Sequence, residues 1–128
     1  MRILLDTVTF LWAVIGAPEL SNDARELFED PENEIYLSSV STWEIAIKHS
    51  LGKLRLPEAP AKFIPIQRKQ HDIDSLPLDE EATLYLTRLP VMHRDPFDRM
   101  LVCQAVVQHL VILTPDELIN QYPVRTIW

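Results

Sequence analysis

Three apolar triplets set the outline of this chain: Ile3-Leu4-Leu5, Ile35-Tyr36-Leu37 and Val111-Ile112-Leu113. Each run is too short for a helix, and each stops at a polar side chain, Asp6, Ser38 or Thr114. Unbroken apolar runs of this length read as strands buried on both faces. The strand readings are Arg2–Leu5, Ile35–Leu37 and Leu110–Leu113, with Ile73–Leu76 as a further short strand and Arg125–Trp128 as an edge strand. Between them the apolar residues recur at helical spacing over Thr7–Ile15, Ser21–Glu29, Ser41–Ser50, Lys62–Gln70, Asp79–Leu89, Pro96–His109 and Asp116–Tyr122. Short strands alternating with helices specify βαβ units, and so an α/β fold with a mainly parallel sheet covered on both faces. The 128 residues suit one domain, 1–128. Right-handed crossovers then bring the strand C-termini, and the helix N-termini that follow them, to one edge.

The punctuation agrees with that outline. Gly16-Ala17-Pro18 closes the first helix, Ser21 caps the second, and Gly52 ends the helix expected to start at Ser41. Pro57, Pro60 and Pro65 leave room for only a short helix near Lys62–Gln70. Pro96–His109 is apolar nearly all round and should lie deep.

Composition removes several function classes. Lys and Arg number 12 against 19 Asp and Glu, a net charge of −7, which is a poor match for holding nucleic acid by overall charge. A single cysteine, Cys103, excludes an internal disulfide and a cysteine zinc site, and fits a reducing cytoplasmic setting. Gly16 and Gly52 are the only glycines, too far apart for a phosphate-cradling loop. Asp6 interrupts the N-terminal apolar run too early for a signal peptide or a membrane span.

The acids are placed more tellingly than they are counted. Asp6 follows the first strand, and Glu44 lies near the start of the helix after the second. Asp95 and Asp98 open the most apolar helix, and Asp116 follows the fourth strand. Taken singly, each is equally well a helix cap. Ser41-Thr42-Trp43-Glu44 and Thr114-Pro115-Asp116-Glu117 have capping-box spacing, and Asp95-Pro96-Phe97-Asp98 resembles the same device. Taken together they converge on one sheet edge. Two unit charges ~4 Å apart repel by roughly 4 kcal/mol at an effective dielectric of ~20, so such a cluster takes up protons or holds a cation. Hard oxygen donors without cysteine or paired histidine favour Mg²⁺ or Mn²⁺.

Those residues also carry a family resemblance. In order, Leu4-Leu5-Asp6-Thr7, the block Ser38–Ile45 with its Ser-Thr-Trp-Glu core, Leu51-Gly52-Lys53-Leu54, His93–Met100 and Leu113-Thr114-Pro115-Asp116 resemble PIN-domain ribonucleases, specifically VapC-type toxins of type II toxin–antitoxin pairs. The resemblance extends to Tyr122-Pro123 and Ile127-Trp128. It implies a PIN-like α/β/α sandwich around a parallel sheet of about five strands. It also implies Mg²⁺-dependent endonucleolytic hydrolysis of RNA, with Mn²⁺ as a substitute. Carried over by position, Asp6, Glu44, Asp98 and Asp116 are the catalytic acids; Asp6, Asp98, Asp116 and the additional Asp95 are the metal ligands. The implied partners are a cognate antitoxin, an RNA substrate and a second copy of the chain, with no membrane. Val8 stands where many relatives carry histidine.

Six of the twelve basic residues, Lys48, Lys53, Arg55, Lys62, Arg68 and Lys69, fall in residues 48–69 against one acid, Glu58. This segment is expected on the side where RNA approaches, with Arg68 and Lys69 as substrate contacts beside Arg94 and Arg99. A solvated basic face, and ion pairs between the last two arginines and the acids, are the competing readings. Trp12, Trp43 and Cys103 are expected to pack rather than react. Phe10, Leu11, Trp12 and Val14, with the proline-rich stretch after Leu56, are expected to offer a groove to an antitoxin helix. Two other classes compete. Aspartate-based phosphotransferases need a second Asp two residues after the first, where this chain has Val8. A catalytically weak PIN-like RNA- or protein-binding module needs no complete acid set.

Overall fold

The computed structural model describes residues 1–128. Five strands, β1 (Arg2–Leu5), β2 (Glu34–Ser38), β3 (Ile73–Leu76), β4 (Val111–Leu113) and β5 (Thr126–Ile127), form one sheet in the order β3-β2-β1-β4-β5. Every neighbouring pair is parallel. Seven helices lie between them: α1 (Thr7–Ile15), α2 (Asn22–Glu29), α3 (Ser39–Ser50), α4 (Pro60–His71), α5 (Glu80–Tyr85), α6 (Pro96–Gln108) and α7 (Glu117–Asn120). The expected α/β class and five-stranded parallel sheet are both present.

Alternation along β1 divides the core. Ile3 and Leu5 point into one layer with Phe10 of α1, Ala24 and Phe28 of α2, and Phe63 and Ile64 of α4. Leu4 points into the other with Leu101, Val102 and Cys103 of α6, Ala82 of α5 and Ile119 of α7. All three β1 side chains are fully buried, as a central parallel strand requires. Helix α3 contributes Ile45 to the first layer and Val40 to the second, so it bridges them. Cys103 is fully buried, and burial pushes its thiol pKa up.

The sheet order reverses between β1 and β4. From β1 the chain builds outward to β2 and β3, then returns to the other side for β4 and β5. The crevice beyond the strand C-termini at such a reversal is where open α/β sheets bind ligands. Asp6 and Thr114 end the two strands that flank it, joined by the Asp6 N–H to Leu113 carbonyl bond of 3.3 Å.

Four local expectations change. Helix α3 starts at Ser39, because the chain turns directly out of β2 and Ser38 Oγ accepts from the Val40 N–H at 3.0 Å. Ser41 is therefore not the cap but a fully buried residue inside the helix, and Glu44 lies in the second turn. Helix α4 starts at Pro60, which its fixed φ suits to a first helical position, and it tolerates Pro65 because Phe63 and Ile64 anchor it in the core. The segment after Asp79 shortens to α5 plus a 3₁₀ turn at Leu86–Arg88, since Pro90 keeps Leu89 out of helical φ/ψ. Finally, Asp116 itself caps α7 by accepting from the Leu118 N–H at 2.8 Å, which frees Thr114 for another role.

Candidate active site

Asp6 leaves β1 as the N-cap of α1, its Oδ1 accepting from the Thr7 N–H at 2.7 Å. Its other oxygen, Oδ2, accepts from the Thr114 hydroxyl at 2.8 Å, and Thr114 Oγ1 in turn accepts from the Asp116 N–H at 3.0 Å. The two strand ends thus fix one buried carboxylate. Thr7 repeats the device across the cleft. Its hydroxyl donates to Glu44 Oε1 at 2.7 Å and lies 2.9 Å from Ser41 Oγ, which can donate to it in return. Glu44 Oε2 takes the ammonium of Lys48, one turn further along α3.

The start of α6 supplies the remaining acids. Asp95 caps it, with Oδ1 accepting from the Phe97 N–H at 2.9 Å and the Asp98 N–H at 3.2 Å, and Pro96 takes the first helical position. Asp98 Oδ2 lies 3.3 Å from His93 Nε2, and His93 Nδ1 lies 2.8 Å from the Tyr122 hydroxyl.

The five acids share one open cleft of ≈ 390 Å³, lined by Asp6, Glu44, Asp95, Asp98 and Asp116 together with Thr7, Val8, Lys48 and Lys53. Every acid singled out from the sequence therefore reaches the same crevice. The four basic residues expected to contact substrate do not line it. Arg68 lies on a shallow cavity of ≈ 280 Å³ between α3 and α4, and Lys69 is exposed on α4. Arg94 is exposed, and Arg99 is half-buried with its Nε unpartnered. Neither arginine forms an ion pair with the acids; the site's pairs are Lys48 with Glu44 and His93 with Asp98. The cations at the cleft are Lys48 and Lys53, from the front of the basic segment.

The acids press on one another. The Asp6 carboxyl is pushed up to about 6, chiefly by burial and further by Asp116 and Glu44, against the bonds from Thr114 and Thr7. Asp98 is pushed up to about 7, chiefly by burial, then by the charges of Asp6 and Asp95, with His93 opposing. Lys48 is held above the usual lysine range by its bond to Glu44, with the charges of Asp95 and Asp98 adding, against partial desolvation.

Only carboxylate and hydroxyl oxygens and two ammonium groups face the cleft as polar side chains. No three carboxylate, imidazole or thiol groups converge on a ready-made chelating point. The donor chemistry, crowded anionic oxygens whose ionisation is held back by burial and repulsion, still fits a hard divalent cation.

The PIN domain family model matches residues 3–124, nearly the whole chain. The chain belongs to the PIN domain family. This PIN domain is similar to Ribonuclease VapC16 of Mycobacterium tuberculosis, 36% identical over 69 residues, which is 54% of the chain and 49% of that protein. The match thus spans about half the length of that curated relative. In fold the domain resembles VapBC2 from Rickettsia felis bound to a DNA fragment from their promoter, with a TM-score of 0.73 at 16% identity over 99% of this chain and 98% of that one. It also resembles DNA-bound VapBC from Salmonella typhimurium, with a TM-score of 0.68 at 18% identity over 99% and 97% of the two chains. At such identities the likeness is one of architecture.

Thr7, Thr114, Lys48 and His93 belong to this PIN-domain site, although none of them stands among the residues expected from the sequence to be catalytic or to hold the metal. Thr7 and Thr114 each sit one residue past a β-strand end or its acid, and that position was their available signal. Lys48 carried the signal of i,i+4 spacing from Glu44.

Proposed function

We propose that this PIN domain is a metal-dependent endoribonuclease of VapC type, the toxin of a type II toxin–antitoxin pair acting in the cytoplasm. One observation carries the reading. Acids from four separate segments, Asp6, Glu44, Asp95 with Asp98, and Asp116, line one crevice at the point where the sheet order reverses. The partial identity to a protein named Ribonuclease VapC16 supports the choice of RNA.

Asp6, Asp98 and Asp116 would hold Mg²⁺ or Mn²⁺, with Asp95 as an additional ligand and Glu44 completing the site. When bound, such an ion supplies charge neutralisation and Lewis acidity for hydrolysis of a phosphodiester by water. The chain's own residues prepare for that. Thr114 and the Thr7 N–H occupy one lone pair on each Asp6 oxygen, fixing the carboxylate without saturating it. Thr7 holds Glu44 in the same way, and His93, itself set by Tyr122, orients Asp98. The cognate antitoxin and a second copy of the chain are the proposed protein partners. For the antitoxin helix, the shallow cavity at Ala46, Pro60 and Pro65 and the half-buried Leu11, Trp12 and Val14 of α1 are the candidate seats.

A second reading, a catalytically weak binding module, is favoured by the engagement of Glu44 with Lys48 and the lack of three converging donors. Total RNA incubated with purified protein and Mg²⁺ separates the two. Discrete cleavage that is lost with EDTA and in Asp6→Asn supports the nuclease. RNA or Mn²⁺ binding without turnover supports the module, and cleavage that persists with EDTA overturns the metal mechanism.

A further inference from the structure

A Glu–Lys pair one turn apart on a helix is ordinarily a weak surface contact. The pair on α3 is placed differently. Glu44 has a side chain only 6% exposed, facing the acid crevice, whereas Lys48 is 48% exposed and reaches over it. Both Glu44 oxygens are engaged, Oε1 by Thr7 and Oε2 by Lys48. Any external cation that approaches Glu44 Oε2 therefore meets an ammonium already there. Lys53 lines the same cleft and has no carboxylate partner. Its position follows from the end of α3, where the Gly52 N–H bonds the His49 carbonyl at 3.0 Å and the Lys53 N–H bonds the Lys48 carbonyl at 2.9 Å. That closure folds the chain back beside its own last turn.

We propose that Lys48 is a tethered counter-cation of the acid cluster, competing with a divalent ion for Glu44, and that Lys48 and Lys53 together bind a phosphate of the RNA strand. The proposal rests on the ribonuclease reading. An acid-lined crevice repels a phosphodiester, so the strand needs positive charge at the rim, and these are the two cations the fold puts there. In the metal-free protein Lys48 offsets part of the carboxylate repulsion. With Glu44 taken by a divalent ion, the ammonium on its long flexible stem is free for the nearby phosphate. Both lysines are substrate-binding residues in this scheme, and Lys48 also holds Glu44 in the metal-free state.

The test uses the full chain, with Mn²⁺ titrated by calorimetry in the absence of RNA. Lys48→Met keeps the aliphatic stem and removes the competitor, so Mn²⁺ should bind about fivefold tighter. Lys48→Arg restores the charge and should return the affinity toward wild type. An unchanged or weaker Mn²⁺ affinity in Lys48→Met overturns the counter-cation role. Binding of a mixed-sequence single-stranded RNA is then measured against salt, with Ca²⁺ in place of Mn²⁺. Lys48→Met and Lys53→Met should each flatten the slope of log K on log salt by about 0.7. Slopes equal to wild type overturn the phosphate role, whereas a merely structural pair shifts thermal stability and neither readout. Wild-type protein that takes up neither Mn²⁺ nor RNA defeats the ribonuclease reading itself, an outcome distinct from failure of the lysine assignment.

Discussion

Thr114 donates its hydroxyl to Asp6 Oδ2 at 2.8 Å across 108 residues of sequence. The bond joins the ends of β4 and β1, the two strands between which the sheet order reverses. Thr114→Val keeps the shape and removes the donor, leaving a buried carboxylate oxygen unpaired. Such a loss costs about 1–3 kcal/mol. Because the bond holds the Asp6 pKa down against burial, its removal should raise that pKa further. The destabilisation should be smaller at pH 4, where Asp6 is protonated and the lost acceptor for the Asp116 N–H is the main remaining cost, and full at pH 8. Urea unfolding at the two pH values checks this; equal losses at both would contradict it.

Asp6 and Asp98 have folded-state pKa values of about 6 and about 7, against 3.8 for the free carboxyl. Between those limits the folded state binds more protons than the unfolded state, so stability falls as pH rises. The cost is absent below pH 4, grows through pH 4–7 and is complete above that range. Asp98→Asn escapes the Asp98 share of it, while Asp6 stays raised by its burial. The metal-free variant should be more stable than wild type at pH 8 by on the order of 1–2 kcal/mol, discounting for partial exposure, and no more stable at pH 4. A thermal scan in EDTA reads this as a gain of about 3–6 °C at pH 8. The same substitution should abolish RNA cleavage, separating what favours the fold from what favours the chemistry.

Much of this architecture is legible in sequence because each signal is local. Ile3-Leu4-Leu5 has no amphipathic alternative, and Asp95-Pro96 fixes the start of α6 as cap and first helical residue. The less legible features depend on partners distant in sequence. Ser41 and Thr114 look like caps until α3 is seen to start directly from β2 and Asp116 to cap α7. Gln104 sits in the most apolar helix, yet it is fully buried, accepting from the Ser38 hydroxyl and donating to the Pro77 carbonyl at 3.2 Å. No periodicity marks it, because its partners come from segments 66 and 27 residues away. The acids could be nominated from their positions after strands. Which cations face them was only partly legible: Lys48 stands four residues after Glu44, whereas nothing local separates Lys53, which lines the cleft, from Arg68, which does not.

If the crevice holds a divalent ion, binding should offset the repulsion that raises Asp6 and Asp98. Mn²⁺ at a hundredfold excess over its Kd should stabilise the protein by about 2.7 kcal/mol. Differential scanning fluorimetry at pH 7.5 should show that rise in Tm, its reversal by EDTA, and its loss in Asp6→Asn. A rise of the same size in Asp6→Asn would place the ion elsewhere.

Gly52 has φ +71° with no atom near the position of an added Cβ, so only its backbone conformation restricts substitution. Left-handed φ costs an ordinary L-residue about 1–2 kcal/mol. Gly52→Ala should therefore destabilise the protein by about 1 kcal/mol through strain alone, without the larger loss that a core clash brings. Gly52→Asn, which tolerates this region better, should recover part of it. The functional consequence follows from the same turn: Gly52 directs Lys53 to the cleft and Leu54 toward the first core layer. If the strain is relieved by opening the turn, Lys53 moves off the rim, and RNA affinity should drop in Gly52→Ala while Mn²⁺ affinity stays at the wild-type value. A parallel fall in both would show that the change has spread to the acids themselves.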